Sequence, residues 1–286
     1  MNEENPFTPY QFYDDAMATT FRILIDDTIE REKAEKAVSA AFRELHQLED
    51  ELSRYRDLSD ISILNKQQAG GSVPIRFAAY DCLSLAKEVH KETGGAFDVT
   101  VGPLMNAWVH KDGFTLDPSE EEIAEAMARV GLDNIEIDGE NFRATTKVDN
   151  PVVDLGGIGK GYALDQLADL LREWDCERAI LNAGQSTLLA LDAPLQNPDG
   201  WPVTAGGGKQ RFLCNRALSG SGFEERGAHV IDPRTSGPVP IKKRIIWSMA
   251  PYAALADALS TSFLVMSNSE IKQLCKRYPD VEVIFA

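Results

Sequence analysis

The amino-acid sequence predicts an α+β fold, with mixed or antiparallel sheets and helices packed against them. Short runs of β-branched and aromatic residues alternate with turn residues, most densely over 178–219. Amphipathic stretches with apolar residues three and four apart occur near both ends of the chain, over 26–56 and 252–278. Because no repeat, low-complexity tract or linker interrupts the chain, we expect a single domain.

In the N-terminal part, residues 1–16 are expected to form a loose arm, so the domain is predicted to span 17–286. A strand is predicted over 22–25 from its β-branched content. The long helix predicted over 26–56 carries one apolar stripe. Its members are Ala34, Val38, Ala41, Leu45, Leu48, Leu52 and Tyr55. From this pattern alone, Tyr55 is expected to pack in the core.

Caps and breakers define the next elements. Gly94 and Gly95 stop one helix, and the pair Ser119 and Glu122 is a capping box that opens another. The elements predicted up to the middle of the chain are helices over 59–65, 77–90 and 119–130, an extended segment over 96–103, and a hairpin over 135–137 and around 143.

The second half begins with a short buried strand at Val152 and Val153, followed by a glycine-rich turn and a helix. Further strands are recognised by alternation and by the turn residues between them. They are predicted over 178–182, 186–191, 202–204, 211–213, 217–219, 244–249 and 281–285. The segment 229–237 is predicted as a strand that runs into a tight turn. Two more helices are predicted, over 252–266 and 269–278.

The composition limits the class of partner. Among 286 residues, 29 are basic and 45 acidic, which gives a net charge of −16. This balance argues against a nucleic acid or an anionic membrane as the partner. An anionic ligand would need local help from backbone dipoles, a few cations or a bound metal.

The cysteines and the N-terminus bear on the compartment. The four cysteines lie far apart without a C-x-x-C pair, so buried thiols are expected rather than a zinc site or a disulfide framework. The first residues show neither the basic region nor the apolar core of a signal peptide, and no apolar run is long enough to span a membrane. We therefore expect a cytoplasmic protein.

The glycine-rich segment is the first candidate site. Asp154 ends the apolar run, and glycines follow at 156, 157, 159 and 161 before a helical pattern begins. Such a turn can let a phosphate approach backbone N–H groups at a helix start. Neither the P-loop nor the dinucleotide fingerprint fits the spacing. A tight turn whose glycines only allow close packing of the helix remains the alternative.

The second candidate site is the pair Asp257 and Thr261, which lie four residues apart on one predicted helix. The two side chains therefore project from one face. Mg²⁺ prefers oxygen ligands and often takes only one or two carboxylates. The alternative is local, with Thr261 bonding back to the Asp257 carbonyl group and Asp257 favouring the helix dipole.

Several separated motifs occur together and in order. They are Met17-x-Thr-Thr, Ser53-x-Tyr55-Arg56, Ser59-x-Ile-Ser-x-Leu-Asn65, Gly94-Gly-Ala-Phe-Asp98-x-Thr-Val-Gly-Pro103, Val153-Asp-Leu-Gly-Gly-Ile-Gly-Lys-Gly-Tyr-Ala163, Asn182-Ala-Gly184, His229-Val-Ile-Asp-Pro-Arg-Thr235 and Ala256-Asp-Ala-Leu-Ser-Thr261. With this set, which spans most of the chain, the sequence resembles the ApbE-like family of FAD:protein FMN transferases.

The resemblance implies a two-lobed single domain that cleaves the diphosphate of FAD, transfers FMN to a Ser or Thr hydroxyl of an acceptor protein and releases AMP. It implies Mg²⁺ as the cation, held by Asp257, Thr261 and the backbone carbonyl of Gly157. It also implies a set of residues that line the FAD site. These are Met17, Tyr55, Ala96, Phe97, Asp98, Asp154, Lys160, Ile231 and Ser260.

His229 is the leading candidate for the general base that takes the proton of the acceptor hydroxyl, because an imidazole titrates near the working pH. Its alternative is a hydrogen-bonded core histidine. Two further functions stay open. The chain could hydrolyse FAD to FMN and AMP, or it could bind FAD without catalysis. Retention of Asp257, Thr261, Asp154 and Lys160 together argues against the last, because binding alone would not require the metal pair.

The sequence also departs from the family pattern in three places. Ala18 stands where a glycine is usual, and Gln185 follows Asn182-Ala-Gly184 in place of the second glycine. The aspartate usual after that glycine is also missing. The segment over 220–228 is short, which abbreviates the strand and turn expected there.

Overall fold

The computed structural model describes residues 8–109, 116–205, 208–222, 230–240 and 245–285. Its central feature is a seven-stranded antiparallel sheet. In spatial order the strands are β1 (Tyr10–Ala16), β2 (Thr19–Ile25), β6 (Ala179–Ala183), β7 (Thr187–Ala190), β10 (Arg216–Ser221), β13 (Ile246–Ala250) and β14 (Glu282–Phe285).

Three smaller antiparallel sheets accompany it. They are β3 (Ser72–Pro74) with β5 (Arg143–Thr146) and β4 (Ile135–Asp138), the hairpin of β8 (Trp201–Ala205) and β9 (Lys209–Leu213), and the short pair β11 (Ile231–Asp232) and β12 (Gly237–Pro238).

The helices lie between these strands in sequence. They are α1 (Arg31–Leu52), α2 (Asp60–Asn65), α3 (Phe77–Glu92), α4 (Gly102–Trp108), α5 (Glu120–Met127), α6 (Gly159–Glu173), α7 (Ala253–Val265) and α8 (Asn268–Arg277). A short 3₁₀ turn covers Leu132–Asn134. The predicted α+β class with antiparallel sheets and packed helices is confirmed.

The two faces of the central sheet are covered differently, as the two-residue period of its strands requires. Phe21 and Ile23 point towards the helices and join the main core, whereas Ile180 and Leu218 point to the other face. There they pack with Trp201 of the β8–β9 hairpin. The helix-facing side therefore holds the core from which α6 and α7 present the candidate site.

The N-terminal arm predicted over 1–16 is wrong for residues 10–16, which form β1 along the edge of the sheet. The strand was hard to recognise because its residues are mostly exposed or half-buried, as is usual at a sheet edge. Met17 and Ala18 join β1 to β2 with φ of 50° and 57°. Positive φ at both positions is the geometry of a tight two-residue hairpin turn.

The strand predicted at Val152 and Val153 is not formed. Val152 has φ of 31°, and Val153 takes its backbone partners from a side chain instead of a neighbouring strand. Asn65 accepts from the Val153 N–H at 2.6 Å and donates to the Val153 carbonyl at 2.9 Å. An amide side chain thus replaces the strand ladder that the apolar run suggested.

Two further predictions were wrong in extent. The segment 96–103 is not extended, because it turns at Val99 and Thr100 and enters α4 at Gly102. Helix α1 is shorter than predicted at its start, where the Asp26 carboxylate accepts from the N–H groups of Thr28 and Leu195 and fixes a turn. The other predicted helices and strands within the described ranges agree with the structure to within a few residues.

Helices α6 and α7 approach each other closely at Gly161. A Cβ atom added to Gly161 would lie 2.2 Å from the carbonyl oxygen of Ala253 and 2.7 Å from Cα of Ala254. Both neighbours are backbone atoms, so no side-chain rotation could make room. The contact therefore requires glycine at this position.

Asp165, one turn further along α6, fixes the same contact through hydrogen bonds. Its two carboxylate oxygens accept from the N–H groups of Ala253 and Ala254, each at 2.8 Å. These are the first two residues of α7, whose N–H groups have no partner within their own helix. Asp165 thus caps α7 from a neighbouring helix and sets its position relative to α6.

In the part of the chain that the structure describes, none of the helices combines the length and the apolar character needed to cross a membrane. The cytoplasmic location stays a prediction.

The close approach of α6 and α7 generates a matched pair of predictions. Gly161→Ala should lower the free energy of unfolding by about 2–4 kcal/mol, because the added methyl group meets backbone. Gly159→Ala, two residues earlier, places its Cβ 3.7 Å from Leu155 Cβ, an ordinary contact. It should change stability by no more than about 1 kcal/mol. Urea denaturation of both variants checks this; equal effects would contradict the packing argument.

Asp165 generates a pH-dependent prediction. Burial against α7 raises its pKa to about 6 from 3.8, although the hydrogen bonds from Ala254 and Ala253 oppose the shift. The folded protein therefore binds this proton more tightly than the unfolded chain. The stabilisation that protonated Asp165 gives to the folded protein is fully present below its ordinary pKa of 3.8. It is lost as the pH rises through about 6.

The variant Asp165→Asn lacks this titration. The difference in unfolding free energy, wild type minus variant, should fall by about 1–3 kcal/mol between about pH 4 and about pH 7. Denaturant unfolding of both proteins across that range measures it. A difference that stays constant or grows with pH would contradict the assignment.

Candidate active site

The glycine segment leads from Asp154 into α6, and its amides are mostly used within the protein. The Asp154 carboxylate accepts from the Gly156 N–H at 2.8 Å, and the Gly159 N–H donates to the Leu155 carbonyl at 2.7 Å. The Gly161 N–H donates to Asp257 at 3.1 Å. Three of the four glycine amides are thus engaged, so a phosphate here would depend on charged side chains or a metal rather than on a bare backbone cradle.

Asp257 lies on α7, directly opposite the start of α6. Its side chain is buried, with the residue only 4% exposed. Besides the Gly161 N–H, Oδ2 has Lys160 Nζ at 3.9 Å, and Lys160 also donates to the Gly156 carbonyl at 3.2 Å. The arrangement brings a carboxylate and an ammonium group together at the glycine segment.

Hydroxyl groups from the central sheet support the other oxygen of Asp257. Oδ1 accepts from Thr187 at 3.2 Å and from Ser219 at 3.3 Å, and both residues are fully buried. They project from β7 and β10 on the helix-facing side, where strands normally present apolar side chains. Because the two hydroxyls hold Asp257 in place, they are positioning residues for it.

Ser260 belongs to the same buried hydroxyl cluster. Its Oγ lies 2.7 Å from Ser221 Oγ and donates to the Asp257 carbonyl at 2.9 Å. The local bond proposed as the alternative role of Thr261 is thus made by Ser260. The Thr261 hydroxyl lies instead 3.4 Å from Ser221 Oγ.

Thr261 faces the glycine segment across the gap between the helices. A Cβ atom built on Gly157 would lie 3.5 Å from Thr261 Oγ1 and 3.3 Å from the Phe97 ring. The structure therefore places Gly157, Thr261 and Phe97 in one cluster. Asp257 and Lys160 adjoin it through the first turn of α6.

The donors in this cluster are a carboxylate, a hydroxyl and a backbone carbonyl. No group of three or more His, Cys, Asp or Glu side chains suited to a metal ion occurs within the ranges that the structure describes. This donor set does not resemble a zinc site, which needs nitrogen or sulfur ligands. It fits Mg²⁺, which takes hard oxygen donors and leaves positions for water and substrate phosphate.

Asp98 has its carboxylate bonded within its own loop. Oδ1 accepts from the Thr100 N–H at 2.7 Å and from its hydroxyl at 2.5 Å, and Oδ2 lies 3.4 Å from His90 Nδ1. Burial raises the pKa of Asp98, while the bonds from Thr100 and the proximity of His90 oppose the shift. Through these contacts, Asp98 shapes the loop that carries Ala96 and Phe97. Both of these residues are buried. Its contact with a ligand stays a prediction.

Tyr55 is 81% exposed, so the core packing expected from its place in the α1 stripe is wrong. The helix ends at Leu52, and Tyr55 lies in the loop that follows. The guanidinium of Arg54 lies over this ring, 4.9 Å from its centroid. Nη1 of the same guanidinium lies 3.1 Å from Asp154 Oδ2. The loop thereby reaches the glycine segment.

The described contacts of Met17 and Ile231 are with residues outside this cluster. Met17, in the β1–β2 turn, is half-buried against the main core, and its N–H donates to Glu49 at 2.8 Å. Ile231 is 5% exposed and packs with Leu104 and Ala126 in a separate small cluster. Their contact with FAD stays a prediction.

His229, the predicted general base, lies outside the described residues, as does most of the shortened segment over 220–228. The departure at Gln185 falls in a region that the structure does describe. There, Gln185 is exposed and the side-chain oxygen of Asn182 is buried without a hydrogen-bond partner in the described ranges.

Several residues that hold the site are not among those predicted from the sequence, including Arg54, Thr187, Ser219 and Asp165. Arg54 occupies an unspecified position within one motif, and Thr187 is a single hydroxyl within an apolar strand. Asp165 lies on the buried side of α6, four residues after Gly161, and this acidic residue on a packed face was a detectable signal.

Comparisons with known proteins agree with the fold and the motifs. The model of the ApbE family matches residues 17–285. A protein of Haemophilus influenzae named FAD:protein FMN transferase is 30% identical, over 91% of this chain and 82% of that protein. One of the same name from Escherichia coli K12 is 28% identical, over 79% of this chain and 70% of that protein.

Solved structures are similar over nearly the whole chain. The apbe protein of Thermotoga maritima superposes with a TM-score of 0.81 at 26% identity, covering 97% of this chain and 94% of that one. The flavin transferase ApbE of Vibrio cholerae gives 0.82 at 22% identity, covering 98% and 94%. The predicted family is confirmed: this chain belongs to the ApbE family.

Proposed function

We propose that this chain transfers FMN from FAD to a Ser or Thr hydroxyl of an acceptor protein and releases AMP, with Mg²⁺ as the cation. The observation that carries the proposal is the convergence of Asp257, Thr261 and Lys160 on the glycine segment: Asp257 accepts from the Gly161 N–H, Thr261 lies beside Gly157, and Lys160 donates to the Gly156 carbonyl. These residues come from two helices separated by almost a hundred positions in sequence. The names of the relatives support the same activity.

The chemistry asks for charge neutralisation and positioning at a diphosphate. Asp257, Thr261 and the Gly157 carbonyl would hold Mg²⁺, and the metal when bound would neutralise charge on the phosphate oxygens. Lys160 adds a positive charge beside Asp257 that would interact with a phosphate bound there. The hydroxyls of Thr187 and Ser219 keep the Asp257 carboxylate oriented before the ligands arrive.

The flavin and adenine parts of FAD would be bound by the other predicted residues. Phe97, whose ring lies beside Gly157, and its neighbour Ala96 offer buried apolar surface, and Tyr55 offers an exposed aromatic face. Asp154, Ser260, Asp98, Met17 and Ile231 complete the proposed set.

In the reaction, the acceptor hydroxyl oxygen forms a bond to the phosphorus of the FMN half, and the bond from that phosphorus to the bridging oxygen breaks. AMP leaves with the bridging oxygen. The hydroxyl proton would pass to His229, the proposed base, because a neutral imidazole can accept it near neutral pH.

The test is release of AMP from FAD in the presence of Mg²⁺ and a candidate acceptor, with mass spectrometry of the acceptor for added FMN. Asp257→Asn should lower AMP release by on the order of 100-fold or more, because it removes the one carboxylate of the cluster. Asp169→Asn is a matched control on the exposed side of α6, where Asp169 pairs with Arg172. It should leave the rate unchanged.

Three results would contradict the proposal or part of it. Binding of FAD without AMP release, even with a competent acceptor, would show a binding protein. Release of AMP with free FMN, regardless of acceptor, would show a hydrolase. An Asp257→Asn variant with the wild-type rate would remove the cluster from the reaction.

A further inference from the structure

Arg54 occupies an unusual position beside the candidate site. It lies in the loop between α1 and α2, with a side chain only 19% exposed. That loop is tightly held: the Tyr55 N–H donates to Ser53 Oγ at 3.2 Å, and the Ser59 N–H donates to the Arg56 carbonyl at 3.0 Å. The Arg54 guanidinium is thus held by a fixed backbone against Asp154 and the Tyr55 ring.

The guanidinium is not satisfied by these neighbours. Nη1 is shielded from solvent and has no hydrogen-bond partner among the described residues. Asp154 Oδ2 lies at ion-pair distance, 3.1 Å, but outside hydrogen-bond geometry. By contrast, Arg76 nearby donates to both carboxylate oxygens of Asp60. A buried N–H without an acceptor is costly, and the ion pair with Asp154 does not supply one, so the arrangement indicates a missing hydrogen-bond acceptor.

The surroundings indicate what that partner is. Asp154 bridges Arg54 to the glycine segment, because its Oδ1 accepts from the Gly156 N–H while its Oδ2 faces Arg54. Arg54 and Lys160 therefore meet the segment at different groups: Arg54 at the Asp154 carboxylate, and Lys160 at the Gly156 carbonyl and near Asp257. Since three of the four glycine amides are engaged, a diphosphate at this segment has few backbone donors, and a second cation beside Lys160 would bind it more tightly.

We propose that Arg54 is a substrate-binding residue that donates from its unpaired guanidinium N–H groups to a phosphate oxygen of the FAD diphosphate. Guanidinium suits this task because its planar donors match phosphate oxygens and its charge is permanent. The inference rests on the proposed function, since it takes FAD as the ligand. It adds a residue that none of the sequence motifs specified.

The test measures binding of FAD and of riboflavin, which lacks phosphate, by quenching of flavin fluorescence. Arg54→Gln should weaken FAD binding roughly 10- to 100-fold, as expected for a lost charge-assisted hydrogen bond, and leave riboflavin binding within about twofold. Arg54→Lys should fall between wild type and Arg54→Gln. Inorganic phosphate should compete with FAD less effectively in Arg54→Gln than in wild type.

Arg56→Gln is the matched control. Arg56 belongs to the same loop, but its guanidinium pairs with Glu49 and Asp50 and not with Asp154. It should bind FAD as wild type does. Thermal unfolding of each variant verifies that the loop substitutions leave the fold intact.

A second readout separates charge from loop structure. The affinity for FAD should depend less steeply on salt concentration in Arg54→Gln than in wild type, because one charge contact is lost. Unchanged FAD affinity in this variant would overturn the inference. So would an equal loss for FAD and riboflavin, or an unchanged salt dependence. Wild-type protein that binds no FAD would instead overturn the proposed function itself.

Discussion

The contact between α6 and α7 is the constraint on which the site depends. At Gly161 the two helix backbones approach so closely that no side chain fits between them. Asp165 then bonds the first two N–H groups of α7, which fixes the position of one helix along the other. As a result, Asp257 and Thr261 lie opposite the glycine segment.

This arrangement also explains how an acidic chain can bind an anionic substrate. The net charge of −16 would repel a diphosphate, and most glycine amides are already bonded within the protein. Positive charge is therefore supplied locally, by Lys160 on α6 and Arg54 on the loop after α1. The single carboxylate at the centre, Asp257, is held by buried hydroxyls and suits a divalent cation rather than a cationic ligand.

Local sequence patterns predicted the structural features that depend on residues close together in the chain. The apolar period of α1, the capping box at Ser119 and the four-residue spacing of Asp257 and Thr261 all follow from helix geometry. The patterns failed where a distant group replaces the usual partner. Val153 appeared to belong to a strand, but the Asn65 side chain takes the place of the ladder. The edge strand β1 was not predicted because most of its residues are exposed or half-buried.

The site itself was predictable as a set of motifs but not as a geometry. The family resemblance named Gly157, Asp257 and Thr261, whereas the cap by Asp165 and the hydroxyl of Thr187 depend on contacts between segments far apart in sequence. Arg54 could not be predicted at all, because its significance lies in an absent hydrogen bond. Such a feature appears only when the side chains around it are placed.

The most direct measurement of the central claim is the position of a bound divalent cation. Mn²⁺ can replace Mg²⁺ and be located by anomalous diffraction from crystals grown with FAD. The account predicts one Mn²⁺ within about 2.0–2.3 Å of oxygen atoms of Asp257, Thr261 and Gly157. A cation bound elsewhere, with these three groups turned away from it, would contradict the account.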